Sequence, residues 1–208
     1  MKAVGAGVVF AAMVGWSVLA SAPAANAASE SSKFETAYGA TLPPVGYVRF
    51  CARNPAGCKP VNHYDGQLKM TPKLWEALYT LNTRINSAVK PESDQDLYGV
   101  PEFWTYPTAA GDCEDYVLEK QKELLALGVP SGNLLITVVR DEKGDGHAVL
   151  TVATADGDFV LDNRRNDIRA WTDTGYKFLK RQSEQDPKAW IALTVTPVTS
   201  VTTVAGNK

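Results

Sequence analysis

Cys113 lies in Gly111-Asp-Cys-Glu-Asp-Tyr116, where a helix is expected to begin. A helix N-terminus presents N–H groups and the positive end of a dipole, which favour a thiolate and can hold an oxyanion. The polar neighbours Asp112, Glu114 and Asp115 set this thiol apart from a cysteine serving as a small core residue. A thiol nucleophile needs a base, and the chain has two histidines. His63 lies on a presumed loop with no partner in view, whereas His147 follows Gly144-Asp145-Gly146 at the mouth of a strand. An imidazole base needs an acceptor on its other nitrogen, and Asp162, closing the next strand, is the candidate. The pattern is that of a thiol hydrolase with Cys113, His147 and Asp162 as its reacting groups.

The elements that must position these groups follow from periodicity and capping. Leu74, Leu78, Leu81, Ile85 and Val89 predict a helix over 72–89, with Thr71 as N-cap and Pro72 in the first turn. Residues 91–111, rich in Pro and Gly, read as a long loop. The Cys113 helix is predicted with Asp112 as N-cap and Asp115 in a capping-box arrangement, stopping at Gly128 before Pro130. Strands follow at 134–140, 146–154 and 158–162, and 191–204 is expected to add another. Pairing His147 directly with Asp162 requires Val152 opposite Gly157 and a loop over Ala153–Asp156. A tight turn at Asp156-Gly157 would instead pair Asp162 with Thr151. The first register is adopted because it alone puts the two groups in contact. Ala148, Leu150, Val152, Phe159 and Leu161 then form one apolar face, and His147, Val149, Val160 and Asp162 are expected to face the Cys113 helix.

The chain has 208 residues, 45% hydrophobic and 21% charged, with a net charge of −2. That composition excludes a disordered, fibrous or multi-span membrane protein and offers no electrostatic case for nucleic acid. Lys2, the apolar run Val8–Ala20 and the Ala25-Asn26-Ala27 triplet make residues 1–27 a secretory signal, cut after Ala27. The apolar run is too short for a bilayer span and no second one follows, so the product is expected to be soluble and periplasmic or secreted, with no membrane span. Residues 28–45 read as a segment either flexible or loosely docked, and 46–200 as the catalytic domain. Cys51 and Cys58, with six residues between them and Pro55 and Gly57 to turn the chain, are expected to form a disulfide in an oxidising compartment. A zinc site lacks the remaining ligands. Cys113 is left over as the odd thiol.

Gly111-Asp-Cys-Glu-Asp-Tyr116, the helix ending Leu-Leu-Ala-Leu-Gly-Val-Pro130, Gly146-His-Ala-Val-Leu150 and Val160-Leu-Asp-Asn163 together resemble the bacterial transglutaminase-like cysteine peptidases, of the papain/transglutaminase superfamily. The resemblance implies an α+β fold with a papain/transglutaminase-like core, the nucleophile-bearing helix packed on an antiparallel β-sheet. It implies a triad of Cys113, His147 and Asp162, and a calcium site built from Asp112 and Glu114 with Asp115 as a weaker contributor. Some relatives release surface adhesins under an inner-membrane receptor. The implied partners are thus a protein substrate in the cell envelope and an inner-membrane regulatory receptor. Two alternatives share the scaffold: acyl transfer to an amine by the same triad, and a non-catalytic calcium-dependent binding module. Trp104, preceding Cys113 in the same loop, is read as either a cleft residue or a core anchor.

Overall fold

The computed structural model of the chain describes residues 1–2, 33–64, 66 and 68–195. The expected signal segment and its cleavage site, and the chain beyond 195, lie outside the described residues. The first elements are β1 (Ala40–Thr41) and α1 (Val45–Arg53), followed by a 3-10 turn at Pro55–Cys58. Cys51 on α1 is disulfide-bonded to Cys58 on that turn. Closing so short a loop stabilises by about 2 kcal/mol on the chain-entropy model.

α2 (Pro72–Ala88) starts where its capping residues predict, the Thr71 hydroxyl accepting from Leu74 N. Such a cap is worth about 1 kcal/mol. The 91–111 stretch is not a structureless loop. It contains β2 (Lys90–Pro91), the short helix α3 (Asp94–Tyr98), capped by Ser93, and β3 (Ala110–Gly111), which pairs in parallel with β2. α4 (Cys113–Ala126) follows directly.

Six further strands complete the sheet: β4 (Leu134–Arg140), β5 (Gly146–Thr154), β6 (Gly157–Asp162), β7 (Arg165–Ala170), β8 (Lys177–Gln182) and β9 (Trp190–Ala192). Among the described residues they join β1 in a seven-stranded antiparallel sheet of order β1-β9-β8-β4-β5-β6-β7. The fold is α+β, with the Cys113 helix laid on that sheet. Its main core joins Val117, Leu118 and Leu124 of α4 and Leu78, Leu81 and Ile85 of α2 to Ile136, Ala148, Leu150, Val152 and Leu161. Val139, Val149, Val160 and Phe178 form a second cluster.

Two expectations are corrected here. The β5–β6 hairpin pairs Thr154 with Gly157 and Val152 with Phe159, leaving only Ala155 and Asp156 in the turn. The Thr154 hydroxyl braces that turn by donating to Gly157 O and accepting from Asp156 N. Neither predicted register holds; the pairing falls midway between them and puts Asp162 diagonal to His147. The two groups still share a face, because both registers preserve parity. α4, however, packs on the Ala148/Leu150/Val152 face, and not on the side carrying Val149 and Val160. That apolar face offers the helix more surface to bury. Of the segment read as flexible or loosely docked, the described part is docked from residue 33 on, with Lys33 O accepting from Asp158 N and the Glu35 side chain buried.

Candidate active site

Cys113 is the first residue of α4 and buried. The ladder of β2 on β3 sets the 91–96 segment beside it. A cleft of about 440 Å³ opens there, with Glu92 and Asp96 on one wall, Asn163 and Arg164 on the other, and Cys113 among its lining residues. Gly111 has no room for a side chain: a Cβ would stand 2.5 Å from Asp115 Oδ2.

His147 and Asp162 are joined by a 2.9 Å contact between Nε2 and Oδ1, both side chains fully buried. Oδ1 also accepts from Arg164 N at 3.0 Å, and the Tyr176 hydroxyl donates to Oδ2 at 2.6 Å. Burial pushes the Asp162 carboxyl up, but His147, the Arg164 N–H and Tyr176 overcome it and hold the group well below the usual carboxylate range. With Nε2 committed, Nδ1 is the nitrogen left to take a proton, and it is buried with no hydrogen-bond partner. The Cys113 sulfur meets the backbone N–H of Ala148, one residue from the imidazole. The sulfur thus touches the residue next to His147 in β5. Catalytic hydrogen bonds of this kind often close only when substrate binds.

The helix N-terminus does not deliver the low thiol pKa expected of it. The Cys113 S–H donates to Glu114 Oε2 at 3.0 Å, and burial, then the charges of Glu114 and Asp112, push the thiol well above its ordinary value. Burial and the neighbouring Asp112 likewise raise Glu114 far above the carboxylate range, and burial raises Asp112 to about 6. Asp112 occupies the N-cap position but makes no side-chain capping bond.

Asp94, Asp112 and Glu114 each offer an oxygen within 4.8 Å of the others. Asp94 Oδ1 and Glu114 Oε1 are buried without a hydrogen-bond partner. Three converging carboxylates with oxygens to spare suit a hard cation such as calcium. Asp115, expected in this set, lies outside it because its Oδ1 accepts from Thr105 N at 2.9 Å. Its place is taken by Asp94, whose other oxygen holds the Phe103 N–H. No sequence motif marks Asp94; it sits 18 positions upstream of Asp112 on a helix that periodicity does not reveal. Tyr176 joins the site through Asp162, and no motif in the sequence marks it. Trp104 is a core residue, fully buried and edge-on to Tyr47 at 5.6 Å. His63 is exposed on the connection before α2.

Residues 37–197 match the family profile of the bacterial transglutaminase-like cysteine proteinases. Among solved structures, calcium-bound LapG of Legionella pneumophila is similar at 25% identity, TM-score 0.51, covering 64% of this chain and 76% of that one. EGTA-treated LapG of the same organism shares the fold at 22% identity, TM-score 0.50, covering 75% of this chain and 89% of that one. No curated protein sequence matches the chain significantly.

Proposed function

The chain belongs to the bacterial transglutaminase-like cysteine proteinases, and from that premise we propose an exported endopeptidase acting on a protein of the cell envelope. Cys113 is its nucleophile, His147 its base and Asp162 the group that orients the imidazole. The observation that carries this reading is the fully buried His147–Asp162 contact of 2.9 Å, formed one residue from the peptide N–H that meets the sulfur. His147 Nδ1 takes the thiol proton as sulfur attacks the scissile carbonyl. Backbone N–H groups at the start of α4 hold the oxyanion. The imidazolium, stabilised by Asp162, returns the proton to the leaving amine, and water then releases the acyl group from sulfur.

Asp94, Asp112 and Glu114 would hold a calcium ion, a reading supported by their spare oxygens and by the calcium-bound neighbour. When bound, the dication neutralises carboxylates whose charge opposes a thiolate at Cys113. Export is supported by the signal pattern over residues 1–27 and by the Cys51–Cys58 disulfide, which suits an oxidising compartment. No helix among the described residues is long and apolar enough to cross a membrane.

Mass spectrometry of envelope proteins from cells carrying the wild type, Cys113→Ala or His147→Ala tests the proposal. A protein fragment should appear with the wild type and vanish with both variants. The same fragment persisting in either variant would end this mechanism.

A further inference from the structure

We propose that Tyr176 is a positioning residue of the reaction: its hydroxyl aims the Asp162 carboxylate at the imidazole, and its ring fences His147. The inference rests on the triad reading and adds to it a residue from outside the three motifs.

A carboxylate held only through Oδ1 can swing about its Cβ–Cγ bond and leave the imidazole without a fixed acceptor. Here both oxygens are engaged. Oδ1 takes His147 Nε2 and Arg164 N, while Oδ2 takes the Tyr176 hydroxyl at 2.6 Å. The Tyr176 ring also stands edge-on to the imidazole, 5.6 Å between centroids at 83°. A ring flip of His147 would exchange the nitrogen facing Asp162 for the one that must meet the thiol, and this contact obstructs it.

The phenol can do this because its loop is braced. Thr174 Oγ1 donates to Trp171 O at 2.8 Å and accepts from Tyr176 N at 3.2 Å. Gly175 takes a φ of +78°, a conformation that a side chain would strain, and so turns the chain to present Tyr176. Tyr176 also packs against the Val139/Val149/Val160/Phe178 cluster. Sequence spacing gives no hint of this role, since residue 176 lies 14 positions beyond Asp162 across two turns.

The test needs no substrate. With two histidines in the chain, 15N-histidine labelling of the full chain gives two imidazoles, and His63→Gln assigns them. Wild-type His147 should show one neutral tautomer, protonated at Nε2, with a slowly exchanging proton. Tyr176→Phe keeps the ring and should mix the tautomers and speed exchange of that proton about tenfold, as loss of a hydrogen bond to a charged group implies. Tyr64→Phe, which removes a 2.5 Å phenol–carboxylate bond to Glu184 elsewhere, should leave the His147 signals unmoved. An unchanged imidazole in Tyr176→Phe, or a wild-type ring already mixing tautomers, overturns the proposal alone. Failure of the triad reads out separately: His147→Ala alkylated at Cys113 by iodoacetamide as fast as the wild type would remove the base, and with it any catalytic meaning of the Tyr176 contact.

Discussion

The two ends of the candidate site are built on opposite electrostatic terms. Around Asp162 one buried carboxylate is met by three donors, so its charge is stabilised where it stands. Around Asp112 three carboxylates converge with few donors between them, and each is pushed toward its protonated form. Buried charge is tolerated when hydrogen-bonded and costly when it is not. One end is thus satisfied within the chain, while the other leaves Asp94 Oδ1 and Glu114 Oε1 buried without a hydrogen-bond partner. Cys113 donates to Glu114 of the acid pocket and meets the Ala148 N–H beside His147, so on the proposed mechanism its readiness as a nucleophile depends on what occupies that pocket.

Replacing the satisfied carboxylate should do the most damage. Asp162→Asn puts an amide where three donors converge, which orphans at least one of them and removes the charge that supports an imidazolium. Turnover should fall roughly 10³–10⁴-fold, the scale of a wrongly held imidazole, measured as release of the envelope fragment. A loss below tenfold would show that the buried contact does not orient the base.

The acid pocket should respond in the reverse sense. Without calcium, Glu114→Gln removes the cost of keeping a buried carboxyl protonated at neutral pH and should raise thermal stability by about 1 kcal/mol. Adding calcium to the wild type at a hundred times its dissociation constant should stabilise it by about 2.7 kcal/mol, and this gain should vanish in the variant. Differential scanning calorimetry in EGTA and in calcium separates the two. A wild type indifferent to calcium would make the converging carboxylates an ordinary strained cluster.

Legibility in the sequence divides along the same line. Elements announced by local chemistry were readable: the Thr71-Pro72 start, the Cys113 helix, the β-branched 134–140 strand and the alternating 146–154 strand all stand within a residue or so of expectation. Long-range choices were not. Hairpin register was decided by a threonine hydroxyl bracing a two-residue turn, and the face that α4 covers by which side buried more apolar surface. The converging acidic cluster contains Asp94 and not Asp115 because backbone N–H groups of the 99–106 loop compete for carboxylate oxygens, a contest that exists only in three dimensions.

Acidity offers a gentler probe of the contrast. Asp162, with its folded value depressed, contributes stability that is present above its unfolded value of 3.8 and lost only as pH falls below it. Asp112, raised to about 6, and Asp115 and Glu35, raised to about 8, behave oppositely: stability is fullest below their unfolded values and declines as pH climbs through the folded ones. Lys120, lowered to about 7 by burial, acts only above that range. In EGTA the melting temperature should therefore fall steadily from pH 4.5 to 6.5. Excess calcium should flatten or reverse that slope, because protons and the cation compete for the same oxygens. An upward slope in EGTA would mean that the pocket is hydrated or paired in solution.

The smallest effect is expected at the boundary between the two environments. Asp115 neighbours the acid pocket, yet its Oδ1 is already engaged by Thr105 N, so its carboxylate behaves as a brace for the 99–106 loop. Asp115→Asn keeps an oxygen able to accept that bond and removes a charge that burial already suppresses. Below pH 3.8, where the Asp115 carboxyl is protonated folded or unfolded, stability should move by less than about 1 kcal/mol, the net worth of a neutral hydrogen bond. The calcium dissociation constant, read by isothermal titration, should change by less than about threefold, whereas Asp94→Asn should weaken binding at least tenfold by deleting a ligand charge. If the two variants weaken calcium equally, Asp115 turns toward the ion when it binds, and the line between brace and ligand lies one residue further into α4.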